Sequence, residues 1–276
     1  MHTAIEKTLV IEKFPLKIAS LDPWGDKLVL GCQEGALLVI GEVPVVGGGR
    51  RFEVVDTKKA FSKRPIIQVH ALADKNLLIS LAELVCISNL GDGFEEVTSL
   101  PKTRGATLFK WDDERSILCV AVKRRLLLYH YNGVEFTELK DLGLADVARG
   151  LAWCGEFLCV GFKKEYSLIN VNTGLATEVF TAGRLGIVDI LELPGEELLL
   201  NKDCLGVYVG HDGKPSRRHG IPWSDPPVAT GALDPYVLAV LPRFVEVRSL
   251  LSISQTLVQT IPLRDMKFLV PAPPSA

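Results

Sequence analysis

Ala106-Thr107-Leu108-Phe109-Lys110-Trp111, the turn Asp112-Asp113-Glu114-Arg115, the run Ser116 to Val122, the turn Lys123-Arg124-Arg125, the run Leu126 to Tyr131, the turn Asn132-Gly133 and the run Glu135 to Leu139 follow one another without a gap. They read as four short strands joined by three tight turns. Asn-Gly between alternating runs is the strongest short hairpin signal. Blocks of four to six Val, Leu and Ile broken so often by Gly, Asp and Pro leave no room for a ten-residue helix.

The same grammar recurs along the chain. Leu118-Cys119-Val120-Ala121, the second strand of this unit, has counterparts at Leu28-Val29-Leu30-Gly31, Leu77-Leu78-Ile79-Ser80, Leu158-Cys159-Val160-Gly161, Leu198-Leu199-Leu200-Asn201 and Leu238-Ala239-Val240-Leu241. In chain order their starts are 49, 41, 40, 40 and 40 residues apart. A period near forty with four strands per unit predicts an all-β chain, a β-propeller of four-stranded blades in which each blade covers its neighbour's apolar face. The excess in the first interval falls at Pro44-Val45-Val46-Gly47-Gly48-Gly49-Arg50-Arg51, read as a surface loop inserted between strands.

Six repeats are visible, with apolar segments left over at both ends. Thr8 to Phe14 precedes the first unit and Met266 to Val270 follows the sixth. An incomplete seventh closing blade built from these two ends is therefore expected, with a propeller domain over 1–270 and a Pro-rich tail over 271–276 that cannot supply the missing strands.

Composition narrows the class. The chain has 276 residues, 47% of them hydrophobic and 23% charged, and a mean hydropathy of +0.23, which suits many buried strand faces. Apolar runs of about eight residues fall far short of the roughly 18 that cross a bilayer. Glu6 and Lys7 in the place of an apolar core argue against a secretory signal, so a cytoplasmic location is expected. Cys32, Cys86, Cys119, Cys154, Cys159 and Cys204 contain no C-x-x-C pair and read as reduced core thiols. A net charge of −2 gives no overall attraction to nucleic acid.

Taken with those features, several blocks in order resemble the N-terminal citron homology domains of the vacuolar protein sorting thirty-nine, or Vam-six-like, family of tethering subunits. They include Ile11 to Leu16, Phe61-Ser62-Lys63, Gly105 to Phe109, Cys119 to Leu126, Ala152-Trp153-Cys154, Cys159 to Lys164, Trp223 to Ala229 and Pro235 to Arg248. The receptor-associated subunit of a sister complex shares fewer of them. The resemblance implies a peripheral tethering role on late endosome and lysosome membranes within the HOPS complex. It also implies contact with a small GTPase of Rab type and, through a helical solenoid beyond the propeller, with other tethering-complex subunits. Within these 276 residues no such solenoid is expected.

No chemistry-bearing motif competes with a binding role. The five histidines never approach paired-ligand spacing, no G-x-S-x-G elbow occurs, and Gly47-Gly48-Gly49-Arg50 lacks the ending of a phosphate loop. No catalytic residue, metal, cofactor, nucleic acid or small-molecule substrate is expected. Asp112-Asp113-Glu114 sits in a repeated turn and reads as structural. Trp24, Trp111, Trp153 and Trp223, near first-strand ends, are expected to pack between blades.

The basic turns are the candidate site. Lys123, Arg124 and Arg125, Lys163 and Lys164, Lys202 and Arg243 fall at one inter-strand turn in four consecutive units, and a propeller brings such turns side by side into a basic arc, diluted by Glu165 and Asp203. Two readings stand: solvated hairpin tips that discourage edge pairing, or a patch for an acidic partner such as a GTPase surface or an anionic membrane surface. Arg217-Arg218-His219 forms a further basic cluster. Rival functions are a direct reader of anionic lipid and a receptor-associated signalling adaptor.

Overall fold

Every strand among the described residues belongs to one of six four-stranded antiparallel sheets, the blades of a β-propeller. A computed structural model describes all residues except 1, 2, 46–49, 92, 186, 252–254, 264, 267, 268 and 271–276, so the Pro-rich tail lies outside the described residues. Blade 1 holds β1 (Ile18–Trp24), β2 (Lys27–Cys32), β3 (Leu37–Pro44) and β4 (Arg50–Lys58); blade 2 holds β5 (Gln68–Leu72), β6 (Leu77–Leu81), β7 (Val85–Asn89) and β8 (Glu96–Leu100). Blade 3 is β9 (Ala106–Asp112), β10 (Ile117–Val122), β11 (Arg125–Tyr131) and β12 (Phe136–Gly143), and blade 4 is β13 (Gly150–Cys154), β14 (Phe157–Gly161), β15 (Glu165–Asn170) and β16 (Ala176–Thr181). Blade 5 contains β17 (Ile190–Leu193), β18 (Glu197–Lys202), β19 (Leu205–Gly210) and β20 (Ile221–Pro222); blade 6 contains β21 (Ala229–Leu233), β22 (Tyr236–Val240), β23 (Phe244–Ser249) and β24 (Leu257–Pro262). No helix among the described residues is long and apolar enough to cross a membrane.

The periodic apolar blocks all fall on second strands, for a physical reason. These strands have sheet neighbours on both sides and blade surfaces above and below, so residues on both faces are buried; β10 buries five of its six residues and β6 all five. Such strands read as continuous apolar runs, whereas the solvated fourth strands do not, as the largely exposed β12 illustrates. The pairing between third and fourth strands carries a bulge in blades 1, 2, 3, 4 and 6, and blade 5 has a two-residue fourth strand. Both devices blunt the outer edge against pairing with another chain.

The chain divides into two compact units. In residues 7–109 and 270–276, blades 1 and 2 share a core in which Val29, Leu37 and Val39 meet Val69, Leu78, Leu90 and Phe94. Gly35 closes the β2–β3 turn at φ +80°, where a Cβ would lie 2.0 Å from the Ser62 carbonyl oxygen, so only glycine lets the following linker approach. In residues 1–6 and 110–269, Tyr166, Leu168 and Cys159 of blade 4 pack on Leu198, Leu200 and Val209 of blade 5. Leu199 and Tyr208 of blade 5 pack in turn on Val237 and Ala239 of blade 6. Each fully buried leucine here contributes about 2 kcal/mol relative to an exposed one.

Two expectations change. Thr8 to Phe14 forms no strand; Val10, Ile11 and Phe14 instead pack as side chains on Leu30, Leu38 and Ile40 of blade 1. Met266 and Leu269 likewise pack on the Val240, Val245 and Val247 cluster of blade 6 without strand pairing, Lys267 and Phe268 lying outside the described residues. The apolar ends satisfy their burial by packing, and no seventh blade forms among the described residues. The inserted segment does join strands, as expected, between β3 and β4, with 46–49 outside the described residues.

All six cysteines are free, but they are not all core thiols. Cys32, Cys119, Cys154 and Cys159 are buried, Cys86 is half-buried, and Cys204 is exposed at the β18–β19 turn. Burial pushes the Cys32, Cys86 and Cys154 thiols up to about 11, and Cys119 and Cys159 higher still. Because the thiolate is the reacting species, a disulfide exchange reagent at pH 8 is expected to modify one thiol rapidly and the remaining five only on unfolding. Loss of the fast phase in Cys204→Ser checks the assignment.

Candidate functional site

The turns between second and third strands are the sequence-selected basic sites, and their pairing registers define the tips. Val122 pairs with Arg125, leaving Lys123-Arg124 as a two-residue turn with Lys123 at φ 54°. Phe162 N–H donates to the Glu165 carbonyl at 2.7 Å around Lys163-Lys164, and Leu241 N–H to the Phe244 carbonyl at 2.9 Å around Pro242-Arg243. In blade 5, Lys202 pairs with Leu205, so the tip there is Asp203-Cys204. In an up-and-down blade the link to the next blade leaves from the same end as this turn. Hydrogen bonds mark that placement: Leu144 N–H to the Arg124 carbonyl, Ala182 N–H to the Lys164 carbonyl and Trp223 N–H to the Cys204 carbonyl, each 2.8 Å. All seven selected cations thus lie at one end of blades 3 to 6, on a single compact unit.

They are not equally available. Lys123, Lys163, Lys164 and Arg243 are exposed and have no ion-pair partner among the described residues. Arg124 lies 3.9 Å from Asp146, an exposed pair of little energetic consequence. Arg125 is committed to Asp141 on β12, its Nε 2.8 Å from Oδ1, and so staples the outer strands of blade 3. Lys202, half-buried, reaches Thr181 Oγ1 at 3.3 Å. Of the separate basic cluster, Arg217 is also spoken for: it grips Glu197 with Nε and Nη2 and lies 4.0 Å over the Tyr208 ring.

Asp203 does more than dilute the charge. Its carboxylate accepts the backbone N–H groups of Arg184 and Leu185, both at 3.1 Å, and these bonds hold its pKa below the usual carboxylate value. The fold thereby adds Arg184, from the link between blades 4 and 5, to the basic end. No repeat position marks that link, and an alternating Gly-Arg-Leu in a connector is the only signal it leaves in the sequence.

A buried polar network behind this surface also escaped sequence reading. Asp189 Oδ2 accepts Asn201 Nδ2 at 2.7 Å and Thr230 Oγ1 at 2.6 Å, and Oδ1 accepts Thr230 N–H at 3.3 Å. Tyr166 O–H donates to the Asn201 carbonyl at 2.7 Å, and Trp223 Nε1–H to Asn201 Oδ1 at 2.7 Å. Side chains from blades 4, 5 and 6 are joined in one hydrogen-bonded set. Desolvation is the main influence on Asp189 and raises its pKa, against the pull of the Thr230 and Asn201 bonds.

Asp112 accepts the Glu114 and Arg115 amides and pairs with Arg115, which makes the acidic turn a structural one. Trp24 packs on Phe94 of blade 2, Trp153 lies under Arg115 of blade 3, and Trp223 is buried against blade 6. Trp111 packs on Phe136 of its own blade. Among the described residues no three His, Cys, Asp or Glu side chains gather as a metal-holding group.

With this geometry in view, comparison with known proteins bears on what the surface meets. The CNH domain family matches residues 24–272. The "Vacuolar sorting protein 39" of Arabidopsis thaliana is 35% identical over 98% of this chain and 28% of the relative, and the "Vam6/Vps39-like protein" of Homo sapiens is 35% identical over 98% of this chain and 32% of the relative. The human "Transforming growth factor-beta receptor-associated protein 1" is 25% identical over 95% of this chain and 32% of the relative. The chain therefore spans about a third of the length of the curated relatives it matches. Among solved structures, the "AfRom2 CNH domain" superposes with a TM-score of 0.74 at 17% identity, covering 96% of this chain and 92% of that one, which speaks to the fold alone.

Proposed function

The chain belongs to the CNH domain family, and from that premise we propose that it is the recognition propeller of a membrane-tethering factor in vacuolar and endosome–lysosome sorting. Its likeness over 98% of its length to proteins named for vacuolar sorting supports the setting. The observation that carries the mechanism is the set of exposed cations at one end of blades 3 to 6, of which Lys123, Lys163, Lys164 and Arg243 have no ion-pair partner among the described residues. Lys123, Arg124, Lys163, Lys164 and Arg243, with Arg184 added, form a positive surface on a protein of net charge −2. Arg125 and Lys202 support it as strand-end residues. Such a surface meets an acidic partner, and a small GTPase of Rab type on late endosomes and lysosomes is the partner proposed, with HOPS-type subunits as the wider assembly.

The mechanism is recognition without a reaction. The blades of the unit that bears the turns hold them in fixed relative positions, so binding orders few side chains and loses little entropy. The protein acts from the cytoplasm, peripherally, with no cofactor. A receptor-associated adaptor is the second reading, favoured by the match to the receptor-associated relative. The two readings separate on nucleotide dependence. Purified chain is expected to bind a late-endosomal Rab GTPase loaded with a non-hydrolysed GTP analogue at least about tenfold tighter than the GDP form, a difference of about 1.4 kcal/mol. Equal binding of both forms points to the adaptor, and no binding of either by folded protein rejects the tethering reading.

A further inference from the structure

Leu185 is 59% exposed, in a link whose backbone is held firmly on both sides. Ala182 N–H is bonded to the Lys164 carbonyl, the Arg184 and Leu185 N–H groups to the Asp203 carboxylate, and Asp189 N–H to Tyr166 Oη at 3.4 Å. Gly183 lies so close to Asp203 that a Cβ there would stand 2.2 Å from Oδ1, so a side chain at 183 would push the carboxylate away. A leucine fixed in this way, beside Arg184 and the Lys163-Lys164 tip, has no partner among the described residues that explains its position. The links on either side repeat the arrangement more weakly, with Val147 40% exposed and Val228 49% exposed.

We propose that Leu185, presented by Asp203 as its positioning residue, is the apolar anchor of the partner-binding surface, and that the partner is a folded protein offering a small apolar pocket rimmed by carboxylates. This rests on the recognition reading above and deepens it. Binding energy at protein interfaces concentrates in a few well-packed central residues ringed by polar contacts that exclude water, and an apolar side chain pinned among cations has that anatomy. An anionic bilayer fits less well. Asp146 and Asp225 stand in the flanking links and Asp203 at the blade 5 tip, and three carboxylates approach a negative surface at an electrostatic cost. Val and Leu also lack the amphipathic rings that anchor at headgroup depth.

Asp203 gives the proposal a sign that charge alone does not. Replacing it with alanine makes the surface more positive, so an electrostatic patch would bind an acidic partner tighter. If Asp203 positions Leu185, the same change releases the link and weakens binding.

The test measures affinity of the 276-residue chain for the GTP-form Rab GTPase at physiological salt, with wild type, Leu185→Ala, Asp203→Ala and Asp203→Asn. Melting curves confirm that each is folded, and phosphatidylserine vesicles serve as a second target. Expected are losses of about tenfold or more for Leu185→Ala and a smaller loss for Asp203→Ala. Asp203→Asn, whose amide oxygen still accepts a backbone bond, should retain most of the affinity. Wild-type-like binding by Leu185→Ala overturns the anchor while leaving the recognition reading intact, and tighter binding by Asp203→Ala overturns the positioning role. Failure of wild type to bind the GTPase removes the reading and the anchor together. Vesicle binding that Leu185→Ala abolishes would assign the surface to lipid and overturn the protein partner.

Discussion

Lys123→Glu, Lys163→Glu and Lys164→Glu in one chain are expected to lower affinity for the GTP-form GTPase by about 100-fold at low salt. These three side chains are exposed turn-tip cations without ion-pair partners among the described residues, so reversing them exchanges attraction for repulsion without breaking a fold contact. Their effect should appear mainly in the association rate, because long-range charge steers encounter more than it holds the docked complex. It should also shrink as salt rises: at about 1 M the Debye length is about 3 Å, shorter than most contact distances across an interface. Stopped-flow association at low and high salt checks both points. The melting temperature should move by no more than a degree or two, since surface substitutions of this kind usually stay within about 0.5 kcal/mol. Arg125 is left out on purpose. Its pairing with Asp141 ties β11 to β12, and reversing it would confuse lost binding with a loosened blade. An unchanged association rate in the folded variant would remove the basic surface from the mechanism.

What the sequence reveals about this protein follows from where burial is two-sided. The second strands are covered on both faces, so Leu118 to Ala121 and its five counterparts are apolar without alternation, and their spacing exposes the repeat directly. Chain ends are less legible. Val10, Ile11 and Phe14 have the apolar content of a strand, but apolar content says only that a segment is covered, and here side-chain packing on blade 1 does the covering. At the candidate site the tips Lys123-Arg124 and Lys163-Lys164 stand where the turns are read. In blade 5 the register places Lys202 opposite Leu205, so the tip is Asp203-Cys204, two 40-residue periods on from Lys123-Arg124; the repeat spacing locates it, whereas the charge of Lys202 points one residue too early. Arg184 and Leu185 lie in a link outside the repeat, and their role emerges only once Asp203 is seen to bind both their amides. Polar side chains that bond across blades are the hardest to find. Asp189 meets Asn201 and Thr230 at separations of 12 and 41 residues, with nothing in either neighbourhood to announce the contact.

Asp189→Ala is accordingly expected to be among the most destabilising single changes in the unit that holds blades 4 to 6. It leaves the Asn201 amide, the Thr230 hydroxyl and the Thr230 N–H without their acceptor, in a setting where Asn201 is 2% and Thr230 9% exposed. Three lost hydrogen bonds at about 1 kcal/mol each, less the desolvation cost that the carboxylate no longer carries, leave a loss of about 2 kcal/mol at pH 7. For a chain of this size that lowers the melting temperature by about 4–8 °C. The pH dependence has a definite sign. Burial raises the folded pKa of Asp189 above its unfolded value, so the folded chain binds a proton more readily than the unfolded one, and the stability this group contributes falls as pH rises between the two values. Wild type and Asp189→Ala should therefore differ more at pH 4 than at pH 7. Denaturant midpoints measured at both pH values test this. A gap that widens toward neutral pH would mean that the hydrogen bonds from Thr230 and Asn201 outweigh desolvation, and that Asp189 is held ionised as a charged clasp between the blades.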